Sequence, residues 1–119
     1  RIPYYLNTTR HLWAEAGPFR GTTWRLSLAA PVGTMAWLAI APTRGNLQIP
    51  GLGRLGLDPA SLTVWSSSWR IPAERQVSCD IPIPNLPQLQ GAPLFVQAIL
   101  AEPGGAIRLS NTWSEPRIF

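Results

Sequence analysis

Hydrophobic and polar residues alternate along most of this 119-residue chain with a period of two, which is the period of a strand that buries one face. Residues 23–29 give the clearest example, because Trp24, Leu26 and Leu28 fall on one face and polar or small residues fall on the other. The same alternation predicts further strands at residues 61–66, 76–83, 93–101 and 106–110. Pro and Gly separate these segments, so the pattern indicates short strands joined by turns.

Four segments depart from simple alternation. Residues 34–41 are almost continuously apolar, which is typical of a strand that is buried on both faces or lies at an interface. Residues 42–56 are rich in Pro and Gly and predict a long connection, with residues 47–49 as its one short extended piece. We expect a single helical turn over residues 85–89, capped by its first residue, and a final short strand over residues 115–119.

These elements predict an all-β fold: a two-sheet antiparallel β-sandwich of about seven to nine strands, either Ig-like or jelly-roll-like. We expect residues 17–119 to form this single domain, and residues 1–16 to precede it as an extended N-terminal segment. Cys79 falls on the inward face of its strand with Val77 and Ile81, as a buried thiol would. The residues expected in the core are Trp24, Leu26, Leu28, Val64, Val77, Leu94, Val96, Ala98, Leu100, Ile107 and Leu109.

Charge narrows the range of partners. All ten cationic side chains are Arg, and the formal net charge is +4. Nucleic-acid-binding domains gather their cations into a patch or stripe, whereas these are spread almost evenly, so nucleic acid is not an expected partner. No apolar run approaches the roughly 18 residues that a membrane span needs, and we expect no membrane span.

The side chains that could carry catalysis are few. His11 is the only histidine, and the six acidic residues stand singly, mostly beside turns. A general base or a metal site needs partners at suitable spacing, and none is found in the sequence. A single cysteine excludes a disulfide within the chain and a cysteine metal cluster. We therefore expect a protein that is not an enzyme and holds neither a metal nor a cofactor.

Six tryptophans are the most unusual feature of the composition. Trp24 and Trp37 fall in strand alternation and are expected in the core. The other four, Trp13, Trp65, Trp69 and Trp113, lie in polar segments or outside the core pattern. Exposed indoles grouped on a surface mark an interaction site, which would bind sugar rings or be buried against other copies of the chain. The alternative is that these tryptophans are ordinary core or rim residues.

The N-terminal residues Ile2, Tyr4, Tyr5 and Leu6 form a short apolar, β-prone segment, extended by a proline at position 3. Such a segment either pairs with its own sheet or adds a strand to the edge of a neighbouring subunit. Asn7 begins an N-glycosylation acceptor pattern, for which a chance match is the alternative.

A family resemblance rests on several short motifs: residues 21–26, 31–33 and 37–38 near the start, and residues 83–85, 89–91, 95–98 and 109–111 near the end. Together these motifs resemble the uncharacterised C-terminal β-sandwich module of secreted planctomycete and myxobacterial proteins. The resemblance covers roughly residues 17–111. It implies a β-sandwich and a secreted location, and it implies no reaction.

The sequence thus predicts a non-catalytic, extracellular structural or adhesive β-sandwich, exported with its signal peptide already removed. We expect self-association, as a homo-oligomer or as the subunit of a cell-surface or filamentous assembly. The alternative is a carbohydrate-binding module that holds a polysaccharide with exposed Trp65, Trp69 and Trp113.

Overall fold

The computed structural model describes residues 11–14, 17–115 and 117–118, which form nine β-strands and one turn of 3-10 helix at Pro87–Leu89. The strands are β1 (His11–Ala14), β2 (Thr23–Ala29), β3 (Met35–Ala41), β4 (Arg44–Ile49), β5 (Gly53–Leu57), β6 (Thr63–Arg70), β7 (Gln76–Pro82), β8 (Leu94–Ala101) and β9 (Ile107–Glu115).

Seven of these strands build an antiparallel β-sandwich, which confirms the predicted fold class. Sheet A has three strands in the order β1-β2-β7, and sheet B has four in the order β6-β3-β8-β9. Three strands facing four, with the chain crossing repeatedly between the sheets, correspond to the Ig-like alternative rather than to an eight-stranded jelly roll. No helix in the described part of the chain has the length and apolar character needed to cross a membrane.

The main core lies between the two sheets and follows the predicted alternation. Trp24, Leu26 and Leu28 of β2 are buried, as are Val96, Ala98 and Leu100 of β8. Cys79 and Ile81 of β7 fill the same layer. The register pairs Trp24 with Ile81 and Leu26 with Cys79, so neighbouring strands present their apolar residues at the same level.

The extended piece predicted at residues 47–49 lies in β4, but the prediction of a long connection over the rest of residues 42–56 is wrong, because β4 and β5 form an antiparallel hairpin there. Leu55 and Leu57 of β5 pack against Ala39 and Ala41 of β3, forming a second buried cluster on the outer face of sheet B. The glycines that made this segment look like a loop in the sequence have two roles in the hairpin. Gly51 and Gly53 adopt positive φ at the turn, and the missing side chain of Gly56 leaves room for Thr112 of β9.

Two residues expected in the core are exposed instead: Val64 by 49% and Ile107 by 48%. The register between β3 and β6 shifts between Trp37 and Ala39, and Val64 pairs with Ala39, whose side chain lies on the outer face of sheet B. The alternation of β6 therefore turns Trp65 inward in place of Val64. Ile107 is the first residue of β9, directly after a hairpin turn.

Other expected core residues are only partly buried. Val77 and Leu94 pack against the main core, and Leu109 packs against the second cluster. Trp24 is in the core as expected, whereas Trp37 is half-buried and opposite Ile99, which belongs to the second cluster.

The segment boundaries also differ from those expected. The helical turn is a 3-10 turn whose N-cap is Leu86, without a side-chain cap bond, so Asn85 does not cap it. The last described residues form an isolated bridge between Ile118 and Gln90 rather than a strand. Strand β1 lies inside the segment expected to precede the domain, so the sandwich includes His11.

Candidate functional site: an open strand edge

The polar and charged side chains of the described residues form few contacts with one another. Nowhere in the described part of the chain do three His, Cys, Asp or Glu residues come close enough to hold a metal ion. Asp80 accepts a bond from Arg25 at 3.1 Å, and Glu102 accepts one from Arg108 at 3.4 Å. The Arg25 side chain is 70% exposed and the Arg108 side chain 50% exposed, so solvent weakens both ion pairs.

Cys79 is buried, as its alternation predicted. Burial raises the pKa of its thiol to about 12, and the negative charge of Asp80 contributes to the rise. The thiol is the protonated, weakly nucleophilic form at neutral pH, so Cys79 acts here as a small apolar residue.

The tryptophans predicted as ligand or interface residues do not form one surface. Trp65, Trp69 and Trp113 are half-buried and pack along the margins of the main core. The indole Nε1 of Trp113 donates a bond of 2.8 Å to the Glu115 carboxylate. Trp13 of β1 stacks on His11, with 5.7 Å between the ring centroids. It pairs with Ser27 of β2, whose alternate neighbours Leu26 and Leu28 point into the core, so Trp13 lies on the outer face of sheet A.

The remaining predicted site residues lie outside the described residues. They are Ile2, Tyr4, Tyr5, Leu6 and Asn7.

The outer edge of β7 is the most distinctive main-chain surface of sheet A. Ile83 directs both its N–H and its C=O toward β2, bonding Thr22 and Gly21 at 2.8 Å, and the C=O of Arg75 bonds Ala30. Main-chain groups along a strand alternate between its two neighbours. The N–H and C=O of Gln76, Ser78 and Asp80 therefore point away from β2, and no described strand pairs with them. We call these three residues the β7 edge.

Pro82 fits the same geometry. It shares the outward direction of the β7 edge, where a missing N–H costs no bond to β2. Proline is tolerated at an edge strand or at the end of a strand, and Pro82 is the last residue of β7, which is an edge strand of sheet A. The side chains of the β7 edge are exposed and polar, while those of Cys79 and Ile81, at alternate positions of the same strand, are buried.

Beside the β7 edge, the inner face of sheet B is incompletely covered. Strand β1 of sheet A lies against β9 of sheet B. The strand orders of the two sheets then place β2 opposite β8 and β7 opposite β3. Strand β6 then lies at the margin of the sandwich, where it contacts β7, and Trp65 and Trp69 occupy its inner face and are half-buried. A cleft of about 270 Å³ continues from Trp65, with Leu89, Leu94 and Ile118 among its lining residues.

The opposite edge of sheet A is closed by a side chain that the sequence analysis did not identify. Asn111 of β9 accepts a 2.7 Å bond from the N–H of Leu12 and donates a 3.0 Å bond to its C=O. The amide thus substitutes for a paired strand residue and satisfies β1 at this point. The two edges of the same sheet therefore differ: β1 is joined to sheet B, and β7 is open among the described residues.

A second unidentified residue, Gln97, fixes the β4–β5 hairpin to sheet B. Its side chain is buried, accepts a bond from the Gly56 N–H at 3.0 Å, and donates to the carbonyls of Arg54 and Ser110. The signal was present, since Gln97 is a lone amide between Val96 and Ala98 in an otherwise apolar strand. A polar residue there needs buried partners.

Comparisons with known proteins add no relative: no family model, no curated protein and no solved structure matches this chain. The resemblance to the secreted β-sandwich module therefore stays a prediction.

Proposed function

We propose that this protein is a non-catalytic structural or adhesive subunit that self-associates outside the cell. In this proposal the N-terminal segment of one copy, containing Ile2, Tyr4, Tyr5 and Leu6, adds as a strand to a sheet edge of the next copy. Such a head-to-tail contact forms a closed ring or an open filament, depending on whether the rotation closes.

One observation carries the proposal: the outward main-chain groups of the β7 edge have no partner strand among the described residues. Natural proteins usually protect such an edge with Lys, a bulge or a covering loop. This chain contains no Lys, and the side chains of the β7 edge are short or uncharged apart from Asp80, which is paired with Arg25. An edge of this kind suits strand addition, in which main-chain bonds supply the affinity.

The apolar character of the segment supports the same conclusion. Burying Ile2, Tyr4, Tyr5 and Leu6 would remove on the order of 400 Å² of apolar surface from water, worth roughly 10 kcal/mol at about 25 cal/mol per Å². The cost of association and of ordering the segment offsets much of this gain. The net gain is therefore much smaller than the gross value.

The particle size of the full chain tests the proposal. We expect size-exclusion chromatography with light scattering to show an oligomer or filament, and deletion of residues 1–6 to leave a folded monomer. A matched control replaces Thr8 and Thr9, just outside the segment, with Ala and should assemble normally. A monomeric full chain whose truncated form unfolds would identify the segment as the first strand of its own domain, and the proposal would fail.

Carbohydrate binding is the competing proposal. A sugar ring stacks on an exposed indole face, whereas Trp65, Trp69 and Trp113 are half-buried against the core. The same sample distinguishes the two proposals: a carbohydrate-binding module stays monomeric and changes its Trp fluorescence with polysaccharide, and an assembly subunit does not respond to the sugar.

A further inference from the structure

We infer that the acceptor for the N-terminal segment is the β7 edge of a second copy, and that the segment adds parallel to β7 and covers the inner face of β6. This inference rests on the proposed function and specifies its binding site. It has three parts: the side of the segment that bonds, the direction of the added strand, and the copy that supplies it.

Pro3 determines which side of the segment bonds to β7. Proline has no N–H, so in an added strand it belongs at a position whose main chain points away from the neighbour. The residues that bond to β7 are then Ile2, Tyr4 and Leu6. These three alternate positions match the three outward positions of the β7 edge in number and spacing.

The direction of the strand follows from where the side chains must go. In an antiparallel pair, bonded residues lie opposite each other with their side chains on the same face. The exposed side chains of the β7 edge would then place Ile2, Tyr4 and Leu6 on the solvent face. In a parallel pair the bonded residues lie opposite the alternate residues of β7, such as Val77 and Cys79, which point inward. Parallel addition therefore buries Ile2, Tyr4 and Leu6, three of the four apolar residues of the segment, and turns Tyr5 to the solvent face.

The surface that receives them is apolar. An added strand beside β7 faces the inner side of β6, where Trp65 and Trp69 are half-buried. The Leu6 end of the added strand is directed toward the cleft lined by Leu89 and Leu94. Pairing by main-chain bonds with alternate side chains in apolar contacts gives both affinity and a fixed register. A shift of one residue would turn the three apolar side chains to solvent.

The reach of the chain favours a second copy as donor. His11 is level with Gln76, because both pair with Ala29. With Ile2 opposite Val77, the added strand lies three strand spacings from β1, about 14 Å, and Leu6 lies opposite Ile81, about 16 Å further along β7. The straight separation from Leu6 to His11 is then about 22 Å, while the five peptide units between them span at most about 17 Å. A path around the sandwich is longer, so the segment of the same chain does not reach.

Two proline substitutions in the whole chain test whether the β7 edge is the acceptor. Ser78→Pro removes an outward N–H and leaves the bonds from Val77 and Cys79 to β2 in place, as the natural Pro82 does. We expect this variant to fold, with the wild-type near-ultraviolet spectrum of its tryptophans, and to lose assembly at concentrations where the wild type is fully assembled.

The matched control is Ser114→Pro on the outer edge of β9. The Ala98 N–H points to β9, where it donates a 2.9 Å bond to the hydroxyl of Ser110, so Val96 bonds to Trp113 and Ser114 faces away from β8. This proline also removes an outward N–H from an exposed position, and assembly should persist.

Hydrogen exchange on the unmodified chain gives a measurement that does not depend on the variant folding. Amide protons of Ser78 and Asp80 should exchange slowly in the assembly and rapidly after dilution to monomer. If the wild type assembles, and Ser78→Pro assembles equally well or these amides stay unprotected, the acceptor is elsewhere while the proposed function stands. If the full chain never assembles, the proposed function fails first.

Discussion

At the scale of single residues, Gln97 makes the connection that keeps the outer hairpin in place. It joins the Gly56 N–H, the Arg54 C=O and the Ser110 C=O through one buried side chain. Gln97→Met keeps nearly the same volume and removes all three bonds. Leaving buried main-chain groups unpaired costs about 1 to 3 kcal/mol each when water cannot replace the bond. We expect the free energy of unfolding in urea to fall by about 2 to 4 kcal/mol.

Gln48→Met, on the exposed side of the same hairpin, is the control and should change stability by less than about 0.5 kcal/mol. Exchange of the Gly56 amide proton should accelerate in Gln97→Met only. Equal stability of the two variants would show that the hairpin is held by Leu55 and Leu57 alone.

Cys79 makes the stability of the molecule depend on alkaline pH. Burial raises the pKa of its thiol from 9.0 to about 12, so the unfolded chain loses this proton before the folded chain does. Between these values the unfolded state binds fewer protons, and stability must decrease as the pH rises. The contribution is fully present below pH 9.

We therefore expect the free energy of unfolding of the wild type to fall between pH 9 and pH 12, and more steeply than that of Cys79→Ala. The folded thiol should also resist a thiol reagent at neutral pH, whereas the exposed neighbour in Ser78→Cys should react rapidly. Rapid labelling of folded wild type would contradict the buried position of Cys79.

At the scale of elements, β1 is only four residues long and depends on a side chain from the other sheet. Asn111 supplies both a donor and an acceptor to Leu12, whose side chain is fully buried. Asn111→Ala removes both bonds and should lower the free energy of unfolding by about 1 to 3 kcal/mol. The exchange rate of the Leu12 amide proton should rise under conditions in which the rest of the molecule stays folded, because β1 then opens by itself. Asn46→Ala, an exposed asparagine on β4, is the control and should leave both quantities unchanged.

The elements that the sequence predicted best are those whose alternation is complete. Strands β2, β7 and β8 have apolar residues at every inward position, so one buried face determines their extent and register. Strands β4 and β5 were missed because glycines interrupt their alternation, and those glycines serve the turn and the close approach to Thr112. The prediction of which face of β6 points inward was wrong. The irregular pairing of β6 with β3 determines that face, and the sequence of one strand alone does not show how it pairs with another.

The candidate site was predictable only in part, for a similar reason. An apolar, proline-containing segment at residues 2–6 can be recognised from its residue types alone. The β7 edge cannot, because a strand becomes an edge only when the order of all strands is known. Asn111 is likewise an ordinary polar residue in the sequence, and its role depends on β1 lying beside β9.

At the scale of the whole molecule, strand addition links assembly to folding. Only the folded chain has the β7 edge, so binding between copies stabilises the folded state by mass action. A hundredfold increase in chain concentration then raises stability by up to about 2.7 kcal/mol, which for a domain of this size is a shift of up to roughly 10 °C in Tm. Reversible calorimetric scans of the intact chain should show this increase. The chain lacking residues 1–6 and the Ser78→Pro variant should unfold at Tm values independent of concentration, because neither forms the contact. A Tm for the intact chain that does not change with concentration would mean that the segment stabilises its own sandwich.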